Sequence, residues 1–354
     1  MLKQAWLQYA SIDKSMLHGT LAIIIANHFF ATTGFNSESA IRHYQETNKR
    51  IQDFNLSVSD TTIASICCMA IYQLIIGDRS QFRLHVQLLG HSASLRGGLE
   101  KLGMEGQLHH LIASCVANAA FCYWEHVPDS LKYPYGPLGD SAFQDAGCLP
   151  WVDAEYGVGF QELFNLGFLD VFLLDTCRAM VQIDGVMNDH QRWAQQCDHS
   201  GRFNKLSLRL TYVKRYQITE SLEMGLNQQI YECIRLTVHF YLITFQQHNH
   251  LLSNSLTLAL DQFCEALSRI VISTVWDDGL LSNLLLWIWL MIASADGREN
   301  TVAISQLHQV LGQRKVTHWQ QLQCIYQRFL GRNRRLDRKT LQLWQDYVGR
   351  KDSA

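Results

Sequence analysis

Proline is scarce in this chain. Four prolines occur among 354 residues, and all of them fall between Pro128 and Pro150. The flanks on either side therefore lack the residue that breaks helices most effectively, and long uninterrupted helices are permitted there. The proline-bearing stretch also holds five glycines and shows no helical periodicity, so residues 127–159 are expected to form one long irregular connection. An excess of charge of one sign is missing too. Thirty Lys and Arg against 32 Asp and Glu leave a net charge of −2. That balance excludes the broad electrostatic footprint of a strongly basic nucleic-acid-binding domain. Long apolar runs are absent: "LAIIIA" and "LLLWIWLMIA" are six and ten residues, against the ~20 a membrane helix needs. The opening "MLKQAWLQYASIDKS" has no apolar core of the signal-peptide kind. No C-x-x-C joins any of the ten cysteines, Cys67, Cys68, Cys115, Cys122, Cys148, Cys177, Cys197, Cys233, Cys264 and Cys324. Zinc-finger spacing is thus excluded, and the cysteines read as reduced, mostly buried thiols of a soluble cytosolic or nuclear protein.

What is present is core and helical pattern. Hydrophobic residues make up 47% and charged residues 18%, the balance of a folded chain with a large interior. Residues 13–30 repeat apolar groups at Leu17, Leu21, Ile24, Ile25 and Phe29, and residues 37–54 at Ile41, Tyr44, Ile51 and Phe54. "SDTTIASICCMAIYQLIIGD" opens on Ser59 or Asp60 as N-cap and stops at Gly77. A helix carrying His85 follows, then one over 105–126 with Leu108, Leu111, Ile112, Cys115, Ala119 and Cys122 inward. After the loop, helices are expected near 160–183, 206–225, 227–247, 256–276, 280–295, 299–311, 316–330 and 337–349. No alternating strand pattern occurs. The expected fold is all-α, an array of about 12–13 helices packed as antiparallel pairs. It is read as a single helical domain over 1–354, with halves 1–126 and 160–354 joined by 127–159.

Within this array "HVQLLGHSASLRGG" stands out. His85 and Arg96 are eleven residues apart, close to a whole number of turns, so both fall on one side of a helix. Phe82, Val86, Leu89 and Ala93 form the apolar stripe beside them, and Gly97 and Gly98 supply the left-handed residue that ends a helix. His85 reads as a half-buried imidazole bonded to neighbouring backbone and packed beside Leu89, with a ligand or switch role as the sharper alternative.

An all-α enzyme of the terpene-cyclase kind needs converging carboxylates for magnesium. Asp277 and Asp278 have no third carboxylate three residues on, and Asn188 and Asp189 lack the Ser and Glu that complete a magnesium site. His109 with His110, and His248 with His250, diverge on a helix; no H-E-x-x-H, G-x-S-x-G or phosphate-binding glycine loop occurs. No catalytic residue, cofactor or metal is therefore assigned. Trp287 and Trp289 read as core aromatics. Arg332, Arg334, Arg335, Arg338 and Lys339 read as a solvated turn opening the last helix, with nuclear import or phosphate contact as the functional alternative.

Taken together, "GDRSQFRLHVQLLGHSASLRGGLEKLG" resembles the fungal-specific transcription factor domain, the helical regulatory region of zinc binuclear cluster activators. That family shows a Gly-Asp turn, an aromatic (here Phe82), a His eleven residues before Arg-Gly-Gly, and a following Leu-Gly. "MLHGTLAIIIANHFF" with "AIRHYQETNKRIQ", and "LLLWIWLMIASADGREN" with "LDRKTLQLWQD", extend the resemblance over nearly the whole chain. Leu88, Ile288 and Ser294 depart from the family pattern, and Cys67 is the first cysteine, inside an expected helix, where activators carry a six-cysteine cluster upstream. The resemblance implies a nuclear transcription-regulatory domain that acts through protein partners, or an activator cut short, with only weak and non-specific DNA contact. No membrane role and no specific small-molecule effector is read from it. An all-α enzyme of terpene-cyclase type or a helical scaffold is the alternative.

Overall fold

The computed structural model describes residues 4–53, 58–122, 131, 157–188, 225–246, 260–261, 263–265, 267, 279–295, 301–329 and 334–352. Among these residues every regular element is a helix and no strand occurs, as the sequence pattern requires. The chain divides into two compact units, Met1–Tyr135 with Gln247–Leu260, and Gly136–Gln246 with Asp261–Ala354. The expected helix at 206–225, most of that at 256–276, and nearly all of the 127–159 connection lie outside the described residues.

In the first unit the elements are α1 (Gln4–Ile12), α2 (Lys14–Thr33), α3 (Glu38–Asp53), α4 (Asp60–Ile76), α5 (Arg79–Leu95) and α6 (Gln107–Cys122). Two short 3₁₀ turns, Leu99–Lys101 and Met104–Gly106, link α5 to α6. Helix α4 organises the unit. Its residues Ile63 through Ile75 are buried without interruption, because Asp60 at its tip is its only charged residue. A helix apolar all round has no face to give to water, and α2, α3, α5 and α6 all pack on it. Ser59 caps it by accepting from the Thr62 N–H, and Gly77 closes it at φ 82°.

Residue pairs fix the directions. Thr47 reaches the Ser15 carbonyl and His43 meets His18, so α2 and α3 run antiparallel. Arg96 meets Asp60, so α4 and α5 are antiparallel as well. Ser15 bonds Ser65 while Gly19 lies against Cys68, so α2 and α4 run parallel. That last contact is tight: a Cβ on Gly19 would stand 2.9 Å from the Cys68 Cβ. Only small residues allow such an approach, and α2 buries Gly19, Ala22 and Ala26 on this side, with Phe30 below.

This reverses the expected orientation of α2. The repeat Leu17, Leu21, Ile24, Ile25 and Phe29 does not face the core; Leu17, Ile24 and Phe29 are 37%, 50% and 42% exposed. Close parallel packing on α4 selects the small-residue face, and the bulky face is turned outward. In α3, likewise, Ile41 is exposed while Ala40 and Thr47 are buried. Helix α1 was not expected; its Trp6 is buried, and the indole N–H donates to Thr20 on α2.

The second unit contains α7 (Val158–Asn165), α8 (Val171–Asn188), α9 (Leu226–Gln246), α10 (Gly279–Ala295), α11 (Thr301–Gln313), α12 (Trp319–Gln327) and α13 (Arg334–Asp352). Helix α10 plays the part of α4. It has no charged side chain, Leu281 through Ser294 are all buried, and α7, α9, α11, α12 and α13 surround it. Trp287 stacks on Phe329 at 5.4 Å and meets Phe160 edge-on, so it is a core aromatic, and Trp289 is equally buried. The single helix expected over 160–183 is two helices. Gly167 breaks it at φ 79°, its N–H bonding the Phe164 carbonyl while Phe168 bonds Leu163, the paired closure that satisfies the last carbonyls of α7. Asp170 then starts α8 by accepting from the Leu173 N–H, and its other oxygen accepts from Tyr231 on α9.

Candidate functional site

The segment singled out in the sequence is α5 with the turn after it. Asp78 opens the helix by accepting from the Gln81 N–H. Phe82, Val86, Leu89 and Ala93 are buried, as their spacing demands. Arg96 ends the helix, and Gly97 and Gly98 follow at φ 89° and 105°. The Gly98 N–H bonds the Ala93 carbonyl at 2.8 Å and the Gly97 N–H bonds Ser94 at 3.0 Å. This is the six-to-one and five-to-two pairing of a Schellman closure. Gly98, at ψ 170°, occupies a region of backbone space that is essentially glycine's alone. Both glycines therefore have a stereochemical reason.

His85 and Arg96 are not brought together. His85 faces α3, where its Nε2 lies 3.0 Å from the Tyr44 hydroxyl; its partner is a side chain and not the backbone group expected. Tyr44 stacks on Tyr72 of α4 with ring centres 4.7 Å apart, and Asn36 donates to the Tyr72 hydroxyl at 2.6 Å. Gln73 also hydrogen-bonds the Tyr44 side chain. Burial pushes the His85 pKa down to about 4, with only a small opposing pull from Asp78. The imidazole is thus neutral near pH 7 and shares one hydrogen bond with the Tyr44 hydroxyl. Burial also raises the pKa of Tyr44 and of Tyr72. The cluster is a polar tie across α3, α4 and α5.

Arg96 makes a second tie. Its Nη2 lies 3.0 Å from Oδ1 of Asp60, the first residue of α4, and the other Asp60 oxygen accepts from the Gly103 N–H. The carboxylate also lies where a helix N-terminus favours negative charge. A Cβ on Gly103 would stand 2.3 Å from Asp60 Oδ2, so the turn after α5 approaches α4 at the glycine limit.

The remaining assignments fall elsewhere. Arg338 is exposed and Lys339 half-buried on α13; Arg334 and Arg335 belong to its first turn, and Arg332 lies outside the described residues. Asp189, Asp277, Asp278, His248 and His250 also lie outside them. Among the described residues no three His, Cys, Asp or Glu side chains gather as a metal would need, and no helix is long and apolar enough to cross a membrane. Cys67, Cys68, Cys115, Cys177, Cys233 and Cys264 are buried and Cys324 is exposed. Burial pushes the Cys68 thiol up to about 12 and raises Cys67, Cys177 and Cys233 as well, far from thiolate reactivity. Sequence reasoning missed one feature. Glu232 and Arg235 form an ion pair inside α9, with side chains 3% and 4% exposed, and Arg235 Nη1 is buried without a hydrogen-bond partner. The signal available was a Glu and an Arg three apart, framed by buried apolar residues.

No protein-family model, no curated protein and no solved structure matches this chain.

Two outcomes follow from this geometry. Gly98→Val should cost roughly 1–3 kcal/mol of unfolding free energy, because a β-branched residue is strained there; an unchanged denaturant midpoint would remove the closure argument. For His85 the folded pKa is about 4 against the ordinary 6.5, so the unfolded chain binds the proton first as pH falls. The stability tied to the neutral imidazole is present above pH 6.5 and is lost between 6.5 and 4, by up to roughly 3 kcal/mol. The gap in unfolding free energy between wild type and His85→Gln should narrow across that window, and a constant gap would contradict the assigned state.

Proposed function

We propose that this chain is a transcription-regulatory domain of the fungal-specific transcription factor type, acting in the nucleus through protein partners. The observation that carries the reading is the α5 segment. His85, Arg96, Gly97 and Gly98 have the spacing of that family's signature, and each has an architectural task here: a tie to α3, a tie to α4, and a helix closure. A regulatory domain built on such a segment works by presenting surfaces. The near-neutral net charge of −2 supports the view that DNA is reached indirectly.

Two measurements test this. In a salt titration, binding to random and candidate promoter duplexes should stay in the non-specific range of ~10⁻⁴–10⁻⁶ M at physiological salt. One duplex bound a thousandfold tighter than random DNA would reveal direct readout and contradict indirect action. Tethered to a foreign DNA-binding domain in a fungal nucleus, the chain should change reporter transcription. An unchanged reporter at every promoter tried, with the fusion present at the site, would contradict the regulatory reading.

A further inference from the structure

Helices α2 and α3 meet at two imidazoles. Nδ1 of His18 lies 2.7 Å from Nδ1 of His43, with the rings tilted by 36° and their centres 5.0 Å apart. Both residues are half-buried, and one turn along each helix Thr47 donates to the Ser15 carbonyl. Two ring nitrogens at that distance share a proton, and there is room for only one between them. A neutral pair therefore holds unlike tautomers, one ring with its proton on Nδ1 and the other with its proton on Nε2. A first added proton goes to Nε2 of the donor ring and leaves the shared bond in place, now charge-assisted. A second must go to the accepting Nδ1. Two N–H groups then point at each other, on rings of like charge.

We propose that this contact is a proton-operated catch between α2 and α3, closed while the pair shares one Nδ1 proton and released when each ring carries its own. The surroundings give the doubly protonated pair no relief. From α3 it meets Glu46 and Arg50, which are bonded to each other at 2.7 Å, and from α2 it meets Lys14. The one carboxylate is thus committed to a cation, and Lys14 adds a further positive charge. Helix α1 has no charged residue, and α4 has only Asp60, which Arg96 and Gly103 engage. Asp13, the N-cap of α2, is held by the N–H groups of Ser15 and Met16. Burial is the largest cause that lowers the His18 pKa below its ordinary 6.5; the charge of His43 adds to it and Glu46 opposes it. As pH falls, the unfolded chain therefore takes up this proton before the folded one. The stability tied to the contact is complete above pH 6.5 and is lost as pH falls below it. Release loosens α3 against α2, while Tyr44, the next residue, keeps its stack on Tyr72 of α4.

The test is a double-mutant cycle of unfolding with His18→Ala, His43→Ala and the double variant, from about pH 8 to about pH 4.5. The titration of His85 is common to all four proteins and cancels in the cycle. At the upper pH the two histidines should be coupled by roughly two- to tenfold in the unfolding constant. On acidification the coupling should vanish or change sign, whereas side chains that merely pack would stay coupled to the same degree. A coupling constant across the range, or none at its upper end, would overturn the proposal. If an alanine variant fails to fold, the wild-type chain with ¹⁵N-labelled histidine decides. Two Nδ1 nuclei should show a scalar coupling across the shared proton near pH 8 and lose it once both rings are protonated. Its absence near pH 8, or its survival in the doubly protonated pair, would overturn the proposal equally.

Discussion

A helix with no charged face cannot be left in water, and the architecture follows from that constraint applied twice. Helix α4 has Asp60 at its tip and buries every residue from Ile63 to Ile75; α10 has no charged side chain and buries Leu281 to Ser294. Each must be sheathed on all sides, and in each unit several other helices do so. The surrounding helices divide their own faces accordingly. On α3, Ala40 and Thr47 go inward, Glu38 and Arg42 pair on the outside, and Glu46 and Arg50 pair half-buried between the two. Helix α2 gives its small-residue side to α4 and leaves Leu17, Ile24 and Phe29 partly exposed.

Sheathing a helix closely requires small residues at the contact and fixed ends. Gly19 lets α2 approach Cys68, and Gly159 lets α7 approach Phe329, where a Cβ would stand 2.5 Å from the ring. The ends are held by side chains that serve two elements at once. Asp60 starts α4 and holds Arg96 and Gly103; Asp170 starts α8 and holds Tyr231. The segment that gave the strongest functional signal belongs to this system. Its histidine, arginine and glycines fix α5 in place.

Much of this was legible where one signal dominated. Ser59 and Gly77 bracket α4 because an N-cap hydroxyl and a left-handed glycine are local chemistry. The stripe of α5 and the burial of Trp287 and Trp289 followed from helical spacing and bulk. Illegible features depended on partners distant in sequence. The repeat in α2 has no phase, since apolar groups occur on both sides, and only contact with Cys68 reveals that the small residues face in. His85 finds Tyr44, 41 residues earlier, where no spacing rule reaches. Gly167 broke an otherwise continuous apolar pattern because one glycine inside a helical run does not declare whether it is tolerated or used as a stop.

The claim that two helices without a charged face form the interior axes is tested most directly by native-state hydrogen exchange along the intact chain. The account predicts that amides of Ile63–Ile75 and Leu281–Ser294 exchange slowest within their respective units, through the largest openings those units undergo. Exchange in either stretch as fast as in the peripheral helices α1 or α13 would contradict it.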